Sequence, residues 1–366
     1  MNNILQNQYM PDEVSPPGAT LREVLAERGM SQAELAERTG RPTKTINEII
    51  KGKSALTPET AIQLERVLGT PASFWNNREK NYRDWLARQE ERKLLVEYIP
   101  WLKQFPLRSM IRMNWIEEFS DPINQLEELL CYFGVAYPDQ WDNILLGTQC
   151  RQSSAYRVDH YAVSAWLRQG EIQAAQIKCD QYDETFFRIS LNEIRKLTSE
   201  PPESSIDQIK QLCAKSGVAV VFVPEISGIH TYGATRWLNS SKAMIMLSLR
   251  YKTDDHLWFT FFHEAAHILL HGKREVFLED DNMGSDEIQF KEEEANRFAS
   301  NFLIPPDHYM QFHPRGVHFS ADEIVEFAQQ LGVAPGIVVG RLQHDNVIPH
   351  QYLNKLKRRL CLVRVD

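Results

Sequence analysis

FFHEAAHILLH, residues Phe261–His271, places two histidines four apart with a glutamate directly after the first. On a helix, residues four apart share one face, so His263 and His267 can offer both imidazoles to one cation. Glu264 is adjacent, near enough to act as a base without being a ligand. Phe261, Phe262, Ala265, Ala266, Ile268, Leu269 and Leu270 surround the three polar residues with apolar side chains. A helix this apolar is largely buried. Two histidines and a glutamate inside it need a compensating partner, and Zn2+ is the simplest one.

A catalytic zinc needs a third protein ligand and an open position. His271 lies four residues beyond His267, but it sits about 12 Å along the axis from His263, too far for one ion to bridge all three. The better source is KEEEANRFASNFLIP, where Glu292, Glu293 and Glu294 compete. The buried face of this helix runs through Ala295, Ala299, Phe302 and Leu303, and Glu292 continues it backwards at helical spacing. Glu292 is therefore the expected ligand, with Glu294 as the fallback and Glu293 as a solvated charge. Asn296, four residues after Glu292, is placed to hydrogen-bond a ligating histidine. Oxyanion stabilisers are sought in GIHTYGATRW, where His230, Tyr232 and Arg236 are candidates.

The sequence has 366 residues, with 43% hydrophobic, 25% charged and a net charge of −8. That is ordinary globular composition, long enough for two or three domains. A chain coating nucleic acid throughout would be basic, so any nucleic-acid contact is expected to be local. The five cysteines are odd in number and widely spaced, which argues against a disulfide framework or a cysteine zinc site. No signal peptide and no membrane span is read, so the expectation is a cytoplasmic protein without membrane contact. Residues 1–17 read as a flexible lead-in, and REKNYRDWLARQEERK as an exposed connecting helix. Residues 94–200 carry helical periodicity, with Trp115, Trp141 and Trp166 as core aromatics. SEPPESS, residues 199–205, reads as a boundary. Beyond it VAVVFVP and AMIMLSL read as strands, and SADEIVEFAQQLG and APGIVVGRLQHD as helices. AMIMLSL precedes the H-E-x-x-H helix and is expected to pair with an extended substrate, provided it lies at a sheet edge.

Near the N-terminus, TLREVLAERGMSQAELAERTGRPTKTINEIIKGK has its own plan. Leu21, Val24 and Leu25 mark helix one, and Gly29 ends it. Ser31 caps helix two, with Glu34 three residues on. Helix three opens near Pro42-Thr43 and buries Ile46, Ile49 and Ile50. Thr57-Pro58 opens a fourth helix carrying Ile62, Leu64 and Leu68. Arg38 to Lys53 is locally basic. The side of helix three opposite the isoleucines offers Thr43, Lys44 and Asn47, which suits a recognition helix in the major groove. Lys51 and Lys53 suit phosphates, Arg41 is a further DNA-binding candidate of the basic stretch, and Gln32 sits where helix two can meet the DNA backbone.

A strand, then H-E-A-A-H-x-x-L-H, then E-x-E-A-N-x-F-A-x-x-F-L-I-P resembles the ImmA/IrrE family of zinc peptidases over roughly residues 205–310. Residues 18–85 resemble the Xre class, most closely HigA-type antitoxin regulators. The resemblance implies His263, His267 and Glu292 as zinc ligands and Glu264 as general base. It implies a mainly α chain with an all-α helix-turn-helix domain at the N-terminus and an α+β zincin-like domain at the C-terminus. The expected divisions are 1–17, 18–77, a helical connector or partner-binding region 78–200, and the peptidase domain with a helical tail 201–366. The expected function is a DNA-binding regulator with a zinc endopeptidase domain. It would bind a double-stranded operator as a homodimer and cleave a repressor or partner protein in a stress, phage or toxin–antitoxin circuit. The alternative is a non-proteolytic, autoregulating antitoxin that neutralises a toxin and keeps a structural metal site. Self-cleavage between the domains is a third reading.

Overall fold

The computed structural model describes residues 14–144, 154–226, 229, 231–248, 253–272, 276–278, 286–312 and 319–360. Expectations that concern residues 1–13, His230 and two of the five cysteines, Cys150 and Cys361, lie outside the described residues. The chain divides into two compact units, residues 1–98 and 99–366.

The first unit is all helical: α1 (Pro17–Glu27), α2 (Gln32–Thr39), α3 (Thr43–Ile50), α4 (Pro58–Leu68) and α5 (Ala72–Leu95). The boundaries follow from local chemistry. Ser31 Oγ accepts from Glu34 N at 3.1 Å to start α2, and Gly40 ends it at φ 66°. Leu21, Leu35, Ile46, Ile49, Leu64 and Trp75 form the core. Gly18 is required by closeness, because a Cβ there would sit 2.1 Å from the Ile49 carbonyl oxygen of α3. Ile62 differs from its helix neighbours Leu64 and Leu68 in being 44% exposed.

The second unit begins with α6 (Leu107–Arg112), α7 (Pro122–Phe133), α8 (Pro138–Ile144), α9 (Ser154–Gln176), α10 (Glu184–Leu197) and α11 (Pro202–Lys215). Strands β1 (Val218–Phe222), β2 (Gly233–Asn239) and β3 (Lys242–Leu247) follow, then α12 (Asp254–Leu270), β4 (Val276–Leu278) and α13 (Asp286–Leu303). Then come α14 (Pro306–Phe312), α15 (Ala321–Leu331) and α16 (Pro335–His344), and a short 3-10 helix at Asn354–Leu356 follows them. The four strands form one sheet in the order β1-β3-β2-β4. β1 runs parallel to β3, and β2 runs antiparallel to both β3 and β4. Among the described residues, no helix is long and apolar enough to cross a membrane.

β3 is buried on both faces because its side chains alternate between two helical layers. Ala243, Ile245 and Leu247 join the core that contains Trp258, Phe261 and Phe262 of α12. On the other face, Met246 meets α9 at Gly170, where a Cβ would lie 2.2 Å from the Met246 sulfur. Trp166 of α9 donates from Nε1 to the Val223 carbonyl at 3.0 Å. α10 adds Phe187, Leu191 and Ile194 to the α12 core.

The stretch from 99 to 200 falls in the second unit, where α9 covers a face of the sheet and α10 adds to the core. One sequence expectation is corrected here. β3 lies between β1 and β2, so its hydrogen-bonding edges are already occupied and it cannot take a substrate strand.

Candidate metal centre

α12 carries the two histidines at the centre of a fully packed segment. His263, Glu264, Ala265 and Ala266 are all 0% exposed, and His267 is 1% exposed. α13 packs directly on α12 and brings up the third donor. Ala295 and Ala299 are fully buried on α13, and Glu292 lies one turn before Ala295 on the same face.

Glu292 Oε2 lies 3.0 Å from His263 Nε2, and Glu292 Oε1 lies 3.6 Å from His267 Nε2. The two Nε2 atoms are 3.0 Å apart. His263, His267 and Glu292 thus bring one donor atom each within 4.8 Å of one another. Burial holds the His267 imidazole down at about 4, against the pull of Glu292, so its neutral, metal-ready form prevails. Burial pushes the Glu292 carboxyl up, but hydrogen bonding to His263 and His267 outweighs it and keeps the group well below the usual carboxylate range. Two buried imidazoles and one half-buried carboxylate, clustered at this spacing, fit a divalent cation of the zinc type.

The surroundings sort the three glutamates. His263 Nδ1 lies 2.9 Å from Asn296 Oδ1, so Asn296 fixes that ring from behind. Glu294 Oε2 lies 3.5 Å from His271 Nε2, and Glu293 is exposed with Gln289 Nε2 donating to it at 3.2 Å. His271 Nδ1 lies 2.9 Å from His267 Nδ1.

Glu264 is held against β2. The Thr235 hydroxyl lies 2.6 Å from Glu264 Oε2 and 3.0 Å from the Glu264 carbonyl oxygen, and its one proton serves one acceptor at a time. A Cβ on Gly233 would come to 2.5 Å from Glu264 Oε1, so only glycine leaves room for the carboxylate. Sequence reasoning missed Gly233 and Thr235, which lie on β2. The alternation in GATRWLN was the available signal.

Tyr232 is half-buried beside Gly233, with its carbonyl accepting from Ser248 N at 2.9 Å. Arg236 ion-pairs with Glu171 of α9, which also takes Arg168 at 3.0 Å. That pairing makes Arg236 a fastener between sheet and helix.

In the first unit, Thr43, Lys44, Lys51 and Lys53 are exposed. Asn47 of α3 donates to Gln32 of α2 at 3.2 Å, joining the two residues into one polar edge. Arg41 donates from Nε to Gln63 Oε1 of α4 at 2.8 Å.

Comparison with known proteins divides along the same line. Residues 21–75 match the family described as helix-turn-helix, and residues 213–343 match the family described as IrrE N-terminal-like domain. Virulence-associated protein I of Dichelobacter nodosus is 33% identical over 81 residues, covering 22% of this chain and 75% of that protein. The uncharacterized HTH-type transcriptional regulator YddM of Escherichia coli K12 is 38% identical over 61 residues, 17% of this chain. The match spans 65% of the YddM protein's own length. Among solved structures, the Pseudomonas aeruginosa antitoxin HigA with higBA promoter is 31% identical, covers 23% of this chain and 91% of that one, and has a TM-score of 0.22. An addiction module antidote protein of a HigA family from Coxiella burnetii is 28% identical over 23% of this chain and 94% of that one, with a TM-score of 0.22.

Proposed function

The chain belongs to the Xre-type helix-turn-helix family and carries an IrrE-like domain of a peptidase family, and from that premise we propose that it is a DNA-binding regulator with a zinc-dependent endopeptidase activity. The observation that supports it most is the cluster of buried His263 and His267 with half-buried Glu292, beside a buried Glu264. When bound, zinc supplies Lewis-acid chemistry, activating water and polarising the scissile carbonyl. His263 and His267 would hold it with their imidazoles, and Glu292 would supply the charged ligand. Glu264 accepts the proton from the attacking water and delivers it to the leaving amine. The Thr235 hydroxyl fixes the direction of that carboxylate, and Gly233 keeps space for it. Tyr232, next to Gly233, is the candidate for stabilising the oxyanion; Tyr232→Phe then loses cleavage and keeps zinc, whereas unchanged turnover ends the assignment. The substrate class is a repressor or partner protein of a stress, phage or toxin–antitoxin circuit.

On the DNA side, Thr43, Lys44 and the Gln32–Asn47 pair face an operator, with Arg41, Lys51 and Lys53 at the phosphates and two chains on paired half-sites. The reading as a non-proteolytic antitoxin needs only metal ligands, so the retained, space-reserved Glu264 weighs against it.

The deciding experiment is zinc content by elemental analysis, joined to cleavage of a pooled peptide library by the full-length chain. One zinc per chain in wild type and Glu264→Gln, lost in His267→Ala, with cleavage only in wild type, is the expected pattern. A zinc-loaded wild type that cleaves nothing, itself included, returns the function to the antitoxin reading.

A further inference from the structure

His271 closes α12, and its side chain is 3% exposed. Its distance along the helix removes it from the ligand set, yet it faces the cluster and not solvent. Its Nδ1 lies 2.9 Å from Nδ1 of His267, and its Nε2 lies 3.5 Å from Glu294 Oε2. Two ring nitrogens at that distance need one donor and one acceptor. His267 Nε2 points into the cluster, 3.0 Å from His263 Nε2 and 3.6 Å from Glu292 Oε1. A metal takes an imidazole through the lone pair of an unprotonated nitrogen, so the His267 proton belongs on Nδ1. His271 Nδ1 must then accept it. That choice puts the His271 proton on Nε2, facing the Glu294 carboxylate. The polarity of the whole row follows from its metal end, and His263 has the matching arrangement with Asn296.

We propose that His271 and Glu294 are positioning residues that lock His267 in the Nδ1–H tautomer, with its ring turned so that Nε2 meets the zinc. The inference rests on the zinc reading above. It assigns different work to two adjacent acidic positions: Glu292 binds the ion, and Glu294 orients a ligand through an intervening imidazole.

The test is zinc affinity of the full-length chain by competition with a chromophoric chelator, for wild type, His271→Leu, His271→Gln and Glu294→Ala. Histidine-labelled protein with zinc bound is read in parallel by long-range nitrogen–proton NMR, which locates the His267 proton. His271→Leu is expected to bind zinc about 10–100-fold more weakly, the range for losing a partner behind a metal-bound histidine. His271→Gln, whose side-chain oxygen can accept the same proton, recovers most of the loss, and Glu294→Ala shows a smaller one. Wild type shows the His267 proton on Nδ1. Unchanged affinity in His271→Leu, or a His267 proton on Nε2, overturns the proposal. Should His271→Leu fail to fold, Glu294→Ala at its partly exposed position decides, because unchanged affinity with an unchanged His267 Nδ1 signal also overturns it. A wild type that binds no zinc removes both this inference and the reading beneath it; a zinc-binding wild type with indifferent variants removes this inference alone.

Discussion

Asp254, the first residue of α12, makes the stability of the second unit depend on pH. It is 0% exposed. Its Oδ1 accepts from the main-chain N–H of Asp255 and of Arg358, each at 3.0 Å. Gly336 of α16 presses on the same oxygen, since a Cβ there would lie 2.5 Å away. Burial raises the carboxyl from 3.8 to about 6, the backbone donors oppose the rise and the charge of Asp255 adds to it. A folded pKa above the unfolded one means that the folded state holds the proton more tightly. The resulting stabilisation is fully present below about pH 4 and is lost as pH rises through about 6. Two units at about 1.4 kcal/mol each, less the part already titrated at pH 4, gives about 2–3 kcal/mol between pH 4 and pH 7. Asp254→Asn keeps the Oδ1 acceptor and removes the titration. Its new amide adds a constant cost at every pH, so the informative quantity is the change in the wild-type-minus-variant difference. Urea unfolding of the metal-free full-length chain from pH 4 to pH 7.5 measures it. Titration of His267 and Glu292 cancels in the difference. The variant should gain about 2–3 kcal/mol on wild type across that range. A difference that does not move with pH refutes the claim that burial dominates at Asp254.

Four further outcomes follow from the same geometry. Gly233→Ala drives a methyl group into Glu264 and Thr260, and is expected to destabilise the unit by about 1–3 kcal/mol while zinc content stays near one; unfolding curves and elemental analysis check it. Arg195→Ala removes two hydrogen bonds, to the carbonyls of Phe302 at 2.7 Å and Leu303 at 2.8 Å, that secure the end of α13. A loss of about 2–4 kcal/mol in denaturant unfolding is expected, from charged hydrogen bonds of this kind. Lys51→Ala should weaken DNA binding by a similar factor on every sequence and lower the salt slope by about 1, read by titration at several salt concentrations. Asn47→Ala, which also frees Gln32, should instead weaken the preferred operator more than random DNA; equal losses on both would place the reading edge elsewhere.

The parts of this molecule that the sequence made legible are those carried by local periodicity. The histidine pair, the choice of Glu292 over its neighbours and the place of Asn296 all follow from which residues share a helix face. The contribution of β2 was hidden, because Thr235 meets Glu264 across 29 residues of chain. The interior position of β3 is legible in the sequence. AMIML carries apolar side chains at every position, and a strand buried on both faces belongs inside a sheet. Rise along the axis separates His271 from His263, but spacing alone does not show that its ring turns back toward His267. The span 99–200 shows helical pattern without showing what the helices cover.

These limits bear on why the centre needs so much scaffolding. All three candidate ligands come from two helices, α12 and α13, so the site exists only at one register of their packing. A slip of one residue along α13 turns the helix by about 100° and replaces Glu292 with Glu293, a residue that otherwise points into solvent. The fully buried Ala295 and Ala299 let α13 approach α12 closely. Arg195 of α10 then grips the carbonyls of Phe302 and Leu303 and sets the axial position from the far end. α10 belongs to the stretch read from the sequence as a helical connector or partner-binding region. Its packing makes that stretch part of the apparatus that keeps Glu292, and not its neighbour, opposite the histidines.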